Sequence, residues 1–253
     1  MLNTVEYGAT TPHPALLIVH GLYGSARNWG AIAKRMSDDR RVIAVDMRNH
    51  GESFRAESQG YPAMAADLAE VIRWIAAPVD VIGHSMGGKA AMQLALTEGG
   101  LVNRLVVADI APVSYDHSQA HLAQAMRDLD LTGLSTRSEA DRRLSLRISD
   151  PSVRAFLLQS LDLKSDPPHW RLNLDVLERD MDLITGWPGT EGHYDGPALF
   201  LAGAESDYLQ AADRPRIKAL FPKAQIAKIP GAGHWLHAEK PREFEAALRA
   251  FLI

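Results

Sequence analysis

The sequence predicts an α/β chain whose core is a mainly parallel β-sheet with helices on both faces, interrupted late by a helical insertion. Three observations carry this expectation. Short apolar, β-branched runs alternate with amphipathic helical patterns, the rhythm of a sheet buried on both sides. Glycine-rich loops follow several of these runs, including the first core strand and the last. Between about 114 and 196 the strand-like runs stop while helical patterns continue.

Taken in order, Thr4 to Tyr7 reads as an antiparallel edge strand and Ala15 to Val19 as the first core strand. Trp29, Ile32, Ala33 and Met36 repeat at helical spacing. Arg41 to Val45 is the next strand, and Met64, Leu68, Val71, Ile72 and Ile75 mark the helix after it. Val79 to Ile82 leads through a serine turn into a mostly apolar helix, and Leu105 to Ala108 follows as a strand. Within the insertion, Leu122, Met126 and Leu129 form one helical pattern, and Val153, Phe156, Leu157 and Leu161 another. Thr136 with Glu139 reads as a capping box opening a helix between them. Ala198 to Leu201 and Gln225 to Ile229 complete the sheet. A closing helix has Pro241 near its start and Phe244, Leu248, Phe251 and Leu252 on one face. The expected organisation is therefore a core of residues 1–113 and 197–253, with 114–196 inserted as a helical cap over the active site.

Composition bounds the function. A length of 253 residues suits one sheet core with an insertion, or at most two small domains. A net charge of −4 gives no electrostatic reason to expect nucleic acid or an anionic membrane as partner. No secretory pattern opens the chain, and no apolar run is long enough to span a bilayer. The absence of cysteine excludes disulfides, thiol catalysis and thiolate metal sites, and fits a cytoplasmic protein. Neither a metal nor a cofactor is expected, and the oligomeric state is silent in the sequence.

The chemistry lies in three loops. Val81-Ile82-Gly83-His84-Ser85-Met86-Gly87-Gly88 is a strand that stops at a serine fenced by glycines before a helix. Serine is a weak nucleophile at neutral pH, and a sharp strand-to-helix turn lifts its Oγ clear of the sheet. The helix N-terminus beginning at Met86 offers free N–H groups to a developing oxyanion. The loop His20-Gly21-Leu22-Tyr23-Gly24-Ser25 after the first core strand is where a second donor, the N–H of Leu22, is expected. Pro230-Gly231-Ala232-Gly233-His234-Trp235 after the last strand carries a histidine that can reach the serine as general base. These loops, in this order, predict a serine hydrolase on an α/β-hydrolase fold. Two aspartates could orient His234: Asp109, which ends one strand, and Asp207, several residues past the next.

The motifs HGLYGS, DMRNHGES, YPAMAADL, GHSMGGKA, DIAPVSY and GAGHWLHAEKP resemble those of the YbfF-type small esterases of the α/β-hydrolase superfamily. The resemblance runs from about residue 15 to the end and is weakest between about 120 and 190. It implies hydrolysis of small acyl esters or thioesters without a cofactor. It also favours Asp109, which matches the family's DIAP aspartate, over Asp207, which the wider superfamily would favour.

Other residues receive structural readings. His20 braces the oxyanion loop, His84 points away from Ser85 Oγ, and His237 is a hydrogen-bonded turn residue or a pocket wall. Asp46, Arg48, Asn49, His50 and Ser53 form a polar staple closing the loop after a strand. Tyr23 and Trp235 flank the catalytic loops as candidate walls of the substrate pocket, with aromatic core packing as the other reading. Two functional alternatives stand beside the hydrolase. Gly83 to Ala90 has the spacing of a phosphate-binding loop, without the hydroxyl that would hold magnesium at Ala90. A non-catalytic receptor for a small ligand under the cap is the other, and the complete serine–histidine–acid set argues against it.

Overall fold

The computed structural model describes residues 1–76 and 78–252. It opens with β1 (Asn3–Tyr7), β2 (Leu16–Val19), α1 (Gly30–Met36), β3 (Val42–Asp46), α2 (Tyr61–Ile75), β4 (Val79–His84), α3 (Met86–Thr97) and β5 (Val102–Ala108). An excursion follows: α4 (Ala120–Arg127), α5 (Arg137–Leu144), α6 (Pro151–Leu157), β6 (Leu161–Asp162), β7 (His169–Trp170), α7 (Leu174–Arg179) and α8 (Met181–Thr185). The chain then returns through β8 (Ala198–Gly203), α9 (Arg214–Leu220), β9 (Ala224–Ile229), α10 (Leu236–Glu239) and α11 (Pro241–Leu252).

Seven strands form one sheet in the order β1-β3-β2-β4-β5-β8-β9. Only β1 pairs antiparallel, lying at the edge with Thr4 opposite Val45. The other neighbours run parallel, so their C-terminal ends share one edge of the sheet. Alternation of side chains divides the core in two. Leu17, Val19, Ile43, Val45, Val81 and Val107 face α2 and α3. Leu16, Ile18, Val42, Ala44, Ile82 and Val106 face α1 and α11. Both faces are apolar because both are covered, and so these strands read as nearly continuous hydrophobic runs. Among the described residues, no helix is long and apolar enough to cross a membrane.

The structure corrects the sequence reading at several points. β4 continues through Gly83 and His84 to the residue before the serine, and β5 begins earlier, at Val102. The stretch between β5 and β8 is not purely helical, because β6 and β7 form a short antiparallel pair. Leu161 starts β6 rather than extending a helix, and Leu129 lies beyond the end of α4. Half of the expected capping box forms: Thr136 Oγ1 accepts the Glu139 N–H at 3.2 Å. The Glu139 carboxylate turns instead to Arg142 and Arg143, whose charges outcompete a neutral backbone donor.

Candidate active site

One residue, Ser85, makes the whole turn between β4 and α3, and it adopts φ 52° and ψ −120°. That backbone is strained for a side chain with a Cβ, and it persists because the surroundings hold it. Its N–H donates to the Ala108 carbonyl at 3.0 Å, and its own carbonyl accepts the Lys89 N–H at 3.0 Å. The fence of glycines is a matter of space. A Cβ on Gly83 would come within 2.3 Å of the Gly87 carbonyl oxygen, and one on Gly87 within 2.4 Å of the His20 carbonyl oxygen.

From the loop after β9, His234 Nε2 lies 3.1 Å from Ser85 Oγ. Its Nδ1 lies 2.7 Å from Asp109 Oδ2. Asp109 is fully buried at the end of β5, with φ 52°. Its Oδ1 accepts the Gly203 N–H at 2.9 Å, and Oδ2 also accepts the Ser206 hydroxyl. Asp207 is exposed, and the Nδ1 of His234 is directed to Asp109 instead. The loop carrying Asp207 contributes its two neighbours. Ser206 supports Asp109, and the Tyr208 ring stacks on His234 at 3.9 Å and 22°. Sequence reasoning missed both, since neither a hydroxyl nor a ring in a turn carries a spacing signal.

Four histidines brace the frame, and burial lowers the pKa of each. His20 Nε2 accepts the Met47 N–H at 2.9 Å while its Nδ1 donates to the Gly21 carbonyl at 2.7 Å. His50 is built likewise: Nε2 accepts the Tyr23 N–H at 3.2 Å and Nδ1 donates to the Arg48 carbonyl at 2.8 Å. Each ring is thus a neutral tautomer that accepts and donates once, and desolvation keeps it so, with His50 held at about 3. His84 donates from Nε2 to the His234 carbonyl at 2.8 Å, anchoring the loop that carries His234. His237 departs from the hydrogen-bonded turn reading. It stacks on Trp29 at 4.1 Å, its buried Nδ1 has no hydrogen-bond partner, and desolvation brings it to about 3.

The polar staple ties the loop after β3 to the loop after β2. Asp46 accepts N–H groups from Ala26 at 2.7 Å and Glu52 at 3.0 Å. Burial opposes its charge, but these donors and the Asn3 side chain bring its pKa below the ordinary value. Arg48 grips Asp67 with two nitrogens, Asn49 bonds Gln59, and Ser53 Oγ donates to the Asp46 carbonyl. None of these side chains touches Ser85 Oγ or the His234 ring.

A cavity of about 580 Å³ opens at Ser85 and His234. Leu122, Ile148, Val153 and Phe156 line it from the 114–196 stretch, and Tyr23 and Trp235 from the core loops. Tyr23 is fully buried, its OH donating to the Gln119 carbonyl at 3.0 Å, and Trp235 lies 5.5 Å from the Phe156 ring. Leu22 and Met86 line the same small cavity as Ser85. Met86 is the first residue of α3, where an N–H has no acceptor within its own helix. The phosphate-loop spacing around Lys89 does not make a phosphate cradle. Ser85 alone separates β4 from α3, whereas wrapping phosphates takes a multi-residue loop of N–H groups. Among the described residues, no group of three or more histidine or acidic side chains is placed to hold a metal ion.

A parallel sheet with a serine turn, a buried acid and a late histidine at one edge defines the α/β-hydrolase class. The family model described as the alpha/beta hydrolase family matches residues 16–247, and the chain belongs to that family. It is 41% identical to the mouse sn-1-specific diacylglycerol lipase ABHD11 over 99% of this chain and 84% of that one. It is 39% identical to the esterase YbfF of Escherichia coli K12, over 94% of this chain and 92% of that one. A solved structure described as a marine microorganism esterase superposes with a TM-score of 0.93 at 39% identity, covering 99% of this chain and 98% of that one.

Proposed function

We propose that the protein is a serine hydrolase of carboxylic esters, acting on acyl thioesters by the same route, with Ser85 as nucleophile. The observation that carries this reading is the unbroken relay from Ser85 Oγ through His234 to buried Asp109, at the mouth of a largely apolar cavity. The relatives named esterase and diacylglycerol lipase support an ester substrate. In the first step His234 Nε2 takes the proton of Ser85 as Oγ attacks the carbonyl carbon. Asp109 accepts the Nδ1–H and holds the tautomer whose Nε2 faces the serine. The N–H groups of Leu22 and Met86 receive the oxyanion, each contributing about 3 kcal/mol by analogy with donors removed elsewhere. The imidazolium then protonates the leaving oxygen or sulfur. Water activated by His234 cleaves the acyl-serine. Each step uses only this chain's own groups and water.

Residues 114–196 act in this reading as a cap, and an apolar chain of the substrate lies between cap residues such as Leu122 and Phe156 and the core residues Tyr23 and Trp235. The cysteine-free composition accords with a cytoplasmic setting. A fluorophosphonate probe tests the assignment. It should label the wild type once, at Ser85, and leave Ser85→Ala unlabelled, with ester hydrolysis reduced by several orders of magnitude and thermal unfolding unchanged. Hydrolysis by Ser85→Ala at a comparable rate would overturn it.

A further inference from the structure

Lys89 has no part in the relay, yet it lies one turn into the nucleophile's helix and is only 1% exposed. Its ammonium donates to the carbonyls of Thr185 at 2.8 Å and Gly186 at 2.6 Å. The rings of Tyr115, at 4.6 Å, and Tyr61, at 5.7 Å, supply two apolar faces around it. Carbonyls and ring faces solvate a cation but carry no net charge. Burial acts on this amine with no acidic side chain to offset it, and holds it at about 7. The first turn of a helix is also the end where a cation is least favoured, because the macrodipole is positive there. An ammonium has three N–H groups, and the two carbonyls take two of them.

A second, small cavity of about 30 Å³ has both Lys89 and Ser85 in its lining, together with Met86, Ile110, Tyr115 and Tyr208. By volume it has room for about two waters. It meets the large cavity at Ser85 and Leu22, so a substrate whose carbonyl lies at Ser85 has a long arm on one side and a short arm on the other. We propose that this small cavity is a subsite for the short arm of the substrate, and that Lys89 there binds a carboxylate-sized anion a few bonds from the reacting carbonyl. This rests on the esterase reading above. The anion completes a buried charge that the fold otherwise leaves without a counter-charge. It can belong to the acyl part or to the alcohol part, and the two sources are separable by substrate.

The test uses two pairs in which a terminal methyl becomes a carboxylate: methyl butyrate against monomethyl succinate, and ethyl octanoate against the octanoyl ester of glycolate, all followed by proton release. The wild type should favour the anionic member of at least one pair, and the pair that responds identifies the arm. Lys89→Met should lower kcat/KM for that anionic ester tenfold or more relative to its neutral partner. Arg147→Met, which changes a cation bordering the large cavity, should leave that ratio as in the wild type. A ratio that follows Arg147 rather than Lys89 overturns the proposal, as does an equal loss on both members in Lys89→Met, which would make the lysine a tie to the 185–186 segment alone. Should Lys89→Met fail to fold, the wild type decides: a tenfold preference for the neutral member of both pairs overturns the subsite. If Ser85-dependent hydrolysis of the neutral esters is intact in that result, the esterase reading stands and only the subsite falls. Hydrolysis of none of the four esters would instead remove the reading beneath it.

Discussion

At the scale of single residues, the site depends on backbone held where side chains rarely go. Ser85 and Asp109 both have φ 52°, and both sit at the ends of adjacent parallel strands. Each is fixed by a backbone bond to the neighbouring strand: Ser85 N–H to Ala108, and Asp109 N–H to Leu201 at 2.9 Å. This separates the two candidate acids. Asp109 leaves its strand with its carboxylate already held by Gly203 and Ser206, so it has no freedom to miss His234. Asparagine there would present a donor where Nδ1–H needs an acceptor and would favour the tautomer with the proton on the wrong nitrogen. The corresponding change costs about 10⁴ in kcat in the worked serine-protease case. Asp109→Asn should therefore lose kcat by about 10³- to 10⁴-fold with little change in KM. Asp207→Asn, an exposed change, should fall by less than about threefold if surface substitutions behave as usual. Steady-state kinetics on one ester checks both, and a deep loss at Asp207 would mean that the loop closes differently during turnover.

At the scale of elements, legibility in the sequence followed how local the cause was. The parallel strands were readable because burial on both faces makes them continuous apolar runs, as in Leu16–Val19 and Val42–Asp46. The serine turn was readable because its glycines answer a steric demand within a few residues. Ser206 and Tyr208 were not, because their roles come from a loop folding back over Asp109, nearly a hundred positions away in sequence. The short β6–β7 pair was hidden for a related reason: two-residue strands have no period to detect. Between β5 and β8, α4 and α6 were readable as amphipathic patterns and α5 from its Thr136 cap, while the short α7 and α8 were not read; the α6 pattern carries a prediction. Phe156 in α6 packs near Trp235 over the large cavity. Phe156→Ala should enlarge that wall and shift kcat/KM toward esters with longer apolar arms. Discrimination is about 1 kcal/mol per methylene, so the change should be several-fold across a graded p-nitrophenyl ester series. An equal loss across the series would show that α6 serves closure or stability rather than selection.

At the scale of the whole molecule, the frame behind the site is built from histidines that must stay neutral. His20, His50, His84 and His237 are all buried, and desolvation lowers the pKa of every one, His50 and His237 to about 3. In the unfolded chain they titrate near 6.5. Between about 6.5 and 3 the unfolded state therefore binds protons that the native state does not, and stability falls as pH falls through this window. It is fully present only above 6.5. Each such histidine contributes a slope approaching about 1.4 kcal/mol per pH unit once its unfolded form is protonated. Lys89, lowered by burial from 10.5 to about 7, acts in the same direction at higher pH, so a shallow slope should precede the steep one. Asp46, whose pKa is lowered, adds its loss only in the acid range below the usual 3.8. Asp80, raised by burial against the pulls of Asn103 and Arg40, opposes the trend just above 3.8, where the native state takes up its proton before the unfolded chain does. Denaturant unfolding at pH 8, 7, 6 and 5 should thus give a free energy that declines gently to pH 7 and steeply below 6.5. His50→Gln should reduce the steep slope by about one proton even though it weakens the fold at pH 8. A stability that stays level from pH 7 to pH 5 would mean that these rings accept protons in the native state, and that the neutral tautomers bracing the loops after β2 and β3 are not obligatory.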